Sequence, residues 1–142
     1  MEANKIIITG AATRMGAAIA KKLSKSGVEI VIHYNKSKEE VNKLSQELNE
    51  KENGSCKILQ ADFSLKDSVS NTIEQFYSLS DRIDVLVNNA SSFYPTPIET
   101  ADLDSWHDLS FTNLVAPFLL IQGFKGLLAQ ENGCVINISD AI

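Results

Sequence analysis

Cysteine is nearly absent from this chain: two occur in 142 residues, Cys56 and Cys134, too few for a disulfide scaffold. Each opens an apolar run that reads as a strand, so both are expected as buried core thiols. The two histidines, His33 and His107, stand alone, and no Cys/His/carboxylate group has the spacing of metal ligands, which excludes a metal site. Basic charge is in deficit as well. With 13 Lys and Arg against 18 Asp and Glu the net charge is −5, and no Lys/Arg run forms a local patch, so nucleic acid is excluded as a partner. The longest uncharged stretch, Leu109 to Phe124, is too short and too polar for a membrane span, and the N-terminus lacks a signal-peptide pattern. These absences point to a soluble, cytoplasmic protein with no membrane partner. The 44% hydrophobic content excludes disorder and suits one compact α/β domain, or part of one.

What the chain does have is a regular switch of period. Short apolar, β-branched runs near residues 5–9, 28–33, 56–61, 83–88 and 133–139 alternate with helical patterns, giving βαβαβαβαβ. That order predicts an α/β doubly wound parallel sheet of the Rossmann type, strand order 3-2-1-4-5. Cys56 and Cys134 then lie on opposite edges, too far apart to bond. Ser37-Lys-Glu-Glu40 has capping-box spacing and Ser64-x-x-Asp67 offers a weaker cap, while Gly27 and Asn53-Gly54 close the first two helices. One long helix is expected from about Asp104 to Gln130. Right-handed crossovers bring the strand C-termini, at Thr9, His33, Ala61-Asp62, Asn88 and Ser139, to one edge, where open α/β sheets bind ligands.

The segment Thr9-Gly-Ala-Ala-Thr-Arg-Met-Gly16 sits between the first strand and a small-residue helix, so free N–H groups and the positive end of a helix dipole face whatever binds there. This suits a nucleotide's phosphates, with Gly10, Arg14, Met15 and Gly16 as contacts. At Thr9, Gly10 and Gly16 it resembles the Thr-Gly-x-x-x-Gly-x-Gly cofactor turn of the short-chain dehydrogenase/reductases. Arg14 replaces the middle glycine, as in the pteridine reductase branch, and a guanidinium there suggests an extra phosphate to bind. The exit of the second strand, His33-Tyr34-Asn35-Lys36-Ser37, carries no acid before Glu39. A carboxylate at that point bonds the ribose of NAD. Its absence, with His33, Tyr34, Asn35, Lys36 and Ser37 in its place, points to the 2′-phosphate of NADPH, while Lys38 reads as a solvated lysine. The resemblance implies that Asp62, with Phe63 beside it, contacts the adenine; from the residues alone, Asp62 as a turn cap stays open.

At the exit of the fourth strand, Asn88-Asn89-Ala90-Ser91 is followed by Ser92-Phe93-Tyr94-Pro95, similar to pteridine reductases; the wider family has glycine in place of Ser91. The resemblance sets Asn89, Ala90 and Ser91 against the cofactor, and Ser91 and Phe93 against the substrate. An aromatic ring stacks on a flat heterocycle and a hydroxyl meets its polar edge. Tyr94 reads as packing, and Pro95 and Pro97 stiffen the loop. In the long helix Pro117 follows Asn113 by four residues and lacks the N–H that the Asn113 carbonyl needs, so a bend is expected. In the family the matching carbonyl binds a water of the proton relay, which makes Asn113 a catalytic candidate by resemblance. Trp106, Leu109, Phe118, Leu120 and Phe124 are expected in the core or at a subunit interface, and His107 on the helix surface.

The last strand ends at Ser139-Asp140. The family's catalytic serine aligns with Asp140, and aspartate there again matches pteridine reductases; Ser139 is assigned to the cofactor, Asp140 to catalysis and substrate. A carboxyl group suits proton delivery to a ring nitrogen. The family's Tyr-x-x-x-Lys pair belongs on the helix after this strand, beyond Ile142. The literal match Tyr34-Asn-Lys-Ser-Lys38 spans a strand exit at the adenosine end and reads as coincidence. The resemblance therefore covers the cofactor half of a family member: residues 1–142 as an incomplete NADPH-binding Rossmann domain, inactive alone. It implies an NADPH-dependent reductase acting on a small-molecule pteridine, a dihydropterin or dihydrofolate, and a homo-oligomer, a tetramer, when complete. Two alternatives stay open: another short-chain reductase, such as one for 3-oxoacyl thioesters, and a non-catalytic nucleotide-binding module.

Overall fold

The computed structural model of the protein describes residues 4–51 and 55–140. Five parallel strands form one sheet in the order β3-β2-β1-β4-β5: β1 (Asn4–Ile8), β2 (Val28–Tyr34), β3 (Cys56–Gln60), β4 (Val85–Asn88) and β5 (Cys134–Asn137). Helices α1 (Arg14–Leu23), α2 (Lys38–Lys51), α3 (Lys66–Leu79), α4 (Leu103–Ser110) and α5 (Ala116–Gln130) connect them. The doubly wound architecture and its strand order are those expected. β1 and β2 read Ile-Ile-Ile and Ile-Val-Ile because the middle of such a sheet is buried on both faces. The register pairs Ile7 with Val31 and Leu86, and these three pack with Val69, Phe76, Leu120 and Phe124 of α3 and α5. The opposite face sets Ile6, Ile8, Ile30 and Ile32 against Ala20, Val41, Leu44 and Leu48 of α1 and α2. Phe76 and Phe124, both fully buried, meet edge-on at 5.0 Å; truncating either to alanine costs about 3–5 kcal/mol.

Several local expectations need correction. The long helix is present as one span, Leu103–Gln130, but residues Phe111–Val115 form a π-helical turn between its α4 and α5 segments. Pro117 falls at the start of α5, where its missing N–H is tolerated, so the expected bend arises as a π turn just before it. Cys134 is exposed, unlike the buried Cys56 on the opposite edge. β5 is the outermost strand, and Val135 is its residue that packs on the core, whereas Ile136 and Ile138 stay exposed. Ser64 does not cap α3, whose N-cap is Leu65; its hydroxyl donates to Asp62 instead. α1 is capped at Ser24, and Gly27 serves the later turn into β2 with φ +80°. The proposed stop at Asn53-Gly54 lies outside the described residues. The helical span Leu103–Gln130 is long and apolar enough to cross a membrane by length and composition, an 18-residue window within it having a mean hydropathy of 1.3, which corrects the expectation drawn from its uncharged stretch. Here Ala116, Leu120, Phe124, Leu127 and Leu128 belong to the core between α5, α3 and the sheet.

Candidate active-site cleft

β1 runs into a loop that only glycine can open. Gly10 has φ +60°, and a Cβ on it would meet the Ala90 Cα at 2.7 Å. Gly16, in the first turn of α1, backs onto the same loop: a Cβ there would press on the Gly10 carbonyl and lie 2.6 Å from Asn89 Nδ2. The loop is pinned from both sides. On the β4 side the buried Thr9 hydroxyl accepts the N–H groups of Asn89 (3.0 Å) and Ala90 (2.9 Å), and Asn89 Nδ2 donates to the carbonyls of Thr9 and Gly10. On the β2 side, Ala11 N–H donates to the His33 carbonyl at 2.8 Å and Gly10 N–H to His33 Nδ1 at 3.2 Å. The donors of Gly10 and Ala11 are thus committed, and the first-turn N–H groups of Arg14, Met15 and Gly16 are those that a helix start offers an anion. Arg14, standing where glycine is usual, takes a left-handed φ of +50°, a conformation that costs a side-chain-bearing residue about 1–2 kcal/mol. It is exposed and has no carboxylate partner among the described residues.

A cleft of about 990 Å³ opens above the strand ends. It gathers Gly10, Arg14, Met15 and Gly16 from the first loop, and Tyr34, Asn35, Lys36 and Ser37 from the exit of β2. Asn89, Ala90, Ser91 and Phe93 line it from the exit of β4, with Asn113 from the π turn and Ser139 and Asp140 after β5. His33, Phe63 and Asp62 do not line it. His33 is 2% exposed, and its second nitrogen, Nε2, lies 3.0 Å from the Ala61 carbonyl. Its ring stacks on Phe63 at 3.9 Å and 4°. Burial lowers its pKa to about 4, outweighing the Ala61 carbonyl and the Asp62 charge, so at neutral pH it is uncharged. The expectation that the His33 side chain meets a 2′-phosphate is therefore corrected: both nitrogens are used by backbone. Phe63, 3% exposed under that ring, is likewise a packing residue. Asp62 caps a turn, accepting the Ser64 hydroxyl at 2.7 Å and N–H at 3.0 Å. Those bonds hold its pKa below the usual carboxylate range, with help from Asn35 and Lys36.

The other end of the cleft is built on a clamped loop. Asn113 Oδ1 accepts the Ser92 N–H at 2.9 Å, and its Nδ2 donates to the Ser92 carbonyl at 2.8 Å. Ser91 and Phe93 flank that clamp, and Phe93 is 82% exposed. Tyr94 turns the other way and donates its hydroxyl to Asp108 at 3.0 Å; desolvation and that carboxylate raise its pKa. An apolar wall of Leu114, Pro117, Phe118 and Ile121 lines this end of the cleft. Its signal was present in the i, i+3, i+4, i+7 spacing. Phe118, expected in the core or an interface, is 59% exposed on this wall, whereas Leu120 and Phe124 are core. Trp106, exposed, and Leu109 line a separate groove on α4, and His107 is on the surface as expected. Asn88, given no site role from the sequence, is buried: it donates to Asn137 Oδ1 at 2.8 Å, and its own Oδ1 has no partner among the described residues. The arrangement pairs anion donors and a cation at one end with an aromatic face, hydroxyls and a carboxyl at the other.

A family model described as short chain dehydrogenase matches residues 4–141. The chain is 31% identical to pteridine reductase 1 of Leishmania tarentolae, over 96% of the chain and 60% of that protein. It is also 31% identical to the 3-oxoacyl-(acyl-carrier-protein) reductase FabG of Staphylococcus aureus, over 96% of the chain and 55% of that protein. Among solved structures, a metagenomic short-chain oxidoreductase in complex with NADP superposes with a TM-score of 0.89 at 30% identity, covering 99% of this chain and 64% of that one. The chain thus spans about 60% of the length of the relatives it matches.

Proposed function

The chain belongs to the short-chain dehydrogenase family, and from that premise we propose that the protein is an NADPH-dependent reductase of pteridines. One observation carries the reading: a single cleft joins Arg14, at the mouth of the glycine loop, to Ser91, Phe93 and Asp140. The phosphate end fits the cofactor on its own geometry, since Gly10 and Gly16 leave room that any Cβ would fill and the start of α1 supplies N–H donors. Arg14, Lys36 and Ser37 hold the 2′-phosphate, with no acid at the exit of β2 to repel it. NADPH, when bound, supplies the hydride. Phe93 stacks on the pterin and Ser91 bonds its polar edge. Asp140 would give one proton to a ring nitrogen, which together with the hydride that NADPH would supply to the adjacent carbon accounts for the two electrons and two protons that reduce a C=N bond. Asn113 keeps the Ser91–Phe93 loop in place through Ser92 and, by resemblance, serves the proton relay. Residues 1–142 form the cofactor-binding domain of this reductase, which works as a cytoplasmic homotetramer.

Reduction of 3-oxoacyl thioesters is the second reading, favoured by the equal identity to the staphylococcal enzyme; Arg14, Phe93 and Asp140 weigh against it. The cofactor assignment is tested by titrating the full-length protein with NADPH and NADH. Clear preference for NADPH is expected, and equal affinities would overturn the role given to Arg14.

A further inference from the structure

We propose that His33 is a positioning residue for the cofactor cleft: held as its Nε2–H tautomer, the ring ties the Gly10 phosphate loop to the exit of β3 and keeps the two in register. The proposal rests on reading the cleft as an NADPH site.

Three contacts argue for it. Gly10 N–H needs an acceptor at Nδ1, 3.2 Å away, and the Ala61 carbonyl needs a donor at Nε2, 3.0 Å away. Of the three protonation states of imidazole, only the neutral Nε2–H form meets both demands. With the proton on Nδ1, two N–H groups would face each other at Gly10 and the Ala61 carbonyl would lose its donor. The stack on Phe63, 3.9 Å between ring centres and nearly parallel, fixes the plane in which those nitrogens point. The two tethered residues are well placed to matter. Gly10 opens the phosphate loop, and its carbonyl is bonded by Asn89 and faces Gly16. Ala61 immediately precedes Asp62, the carboxylate that faces Asn35 and Lys36 at the exit of β2. A shift of the ring therefore moves the floor of the phosphate site and the β2–β3 rim together, although His33 itself never enters the cleft.

The test separates hydrogen bonding from packing in the full-length protein. His33→Phe keeps the ring volume and the stack but has neither nitrogen. His33→Asn loses the ring but offers Gly10 N–H an acceptor in the place of Nδ1. Both lower the thermal midpoint, so the deciding readout is NADP⁺ affinity, measured by calorimetric titration where all three proteins are folded. Expected is a loss of about tenfold or more for His33→Phe and about threefold or less for His33→Asn, as befits a lost hydrogen bond against a retained one. A packing role predicts the reverse order, and that order, or wild-type affinity in His33→Phe, overturns the proposal. Nitrogen-15 NMR of the wild-type ring is a second measurement that needs no variant to fold: Nε2–H supports the strut and Nδ1–H overturns it. Wild-type protein that binds no NADP⁺ would strike the cofactor reading instead, and there the ring tautomer alone decides the strut.

Discussion

Arg14 carries two effects of opposite sign, and replacing it by glycine pulls them apart. Its φ of +50° costs an L-residue about 1–2 kcal/mol. Glycine removes that strain but brings more freedom to the unfolded chain, which takes back about 0.5–1 kcal/mol. Arg14→Gly should therefore be more stable than wild type by up to about 1 kcal/mol, while Arg14→Ala keeps the strained φ and gains nothing. Cofactor binding should move the other way in both variants. Each loses a charge-assisted hydrogen bond to the 2′-phosphate, about 1.5–3 kcal/mol, or roughly ten- to a hundredfold in NADPH affinity. NADH, which lacks that phosphate, should bind about as before. Denaturant melts and fluorescence titrations of the two variants against wild type give the stability and both cofactor affinities of each. An Arg14→Ala protein as stable as Arg14→Gly would refute the strain argument, and undiminished NADPH affinity in either would refute the phosphate contact.

Stability should fall as pH drops from about 6.5 towards 4. His33 has a folded pKa lowered to about 4, so between the two values the unfolded chain binds more protons, and the slope amounts to about 3 kcal/mol over the window. His33→Phe should flatten that part of the profile, and an unchanged slope in urea melts would contradict the assignment. Asn113→Ala deletes both bonds to Ser92, at about 0.5–1.5 kcal/mol each; loosening of the Phe93 loop should raise KM for the pteridine while NADPH affinity holds, and loss of NADPH binding would count against the clamp. Phe93→Ala should cost a stacking contact of about 0.5–1.5 kcal/mol beyond its area burial, read as weaker pteridine binding. Asp140→Ser should lower turnover and spare NADPH affinity, and equal damage to both would argue against proton delivery.

The alternation of apolar runs and helical patterns makes the sheet legible because each βαβ unit repeats one physical solution, a strand buried on both faces followed by a crossover helix. Gly10 and Gly16 are legible for the same reason: their positions are steric demands of a strand-to-helix turn. Side chains whose partners are distant in sequence are not. His33 reads as one more polar residue at a strand exit, and only the approach of Gly10 and Ala61, residues 23 and 28 positions away, turns it inward. Asn113 points to a break through Pro117, yet its clamp on Ser92 depends on a loop 21 residues earlier. The apolar neighbours of Cys134 suggest burial, but a strand at the edge of the described sheet exposes what a central strand hides. Hydrophobicity alone leaves Phe118 either in the core or at a subunit interface, and its spacing with Leu114 and Ile121 marks a face of its own.

Steady-state turnover by the full-length protein tests the central claim most directly. NADPH oxidation should be followed with a dihydropterin and, separately, with a 3-oxoacyl thioester, comparing kcat/KM for the two. The dihydropterin is expected to be reduced far more efficiently, and Phe93→Ala to lower this activity. A protein that reduces the thioester better, with Phe93→Ala indifferent, would contradict the assignment to pteridines.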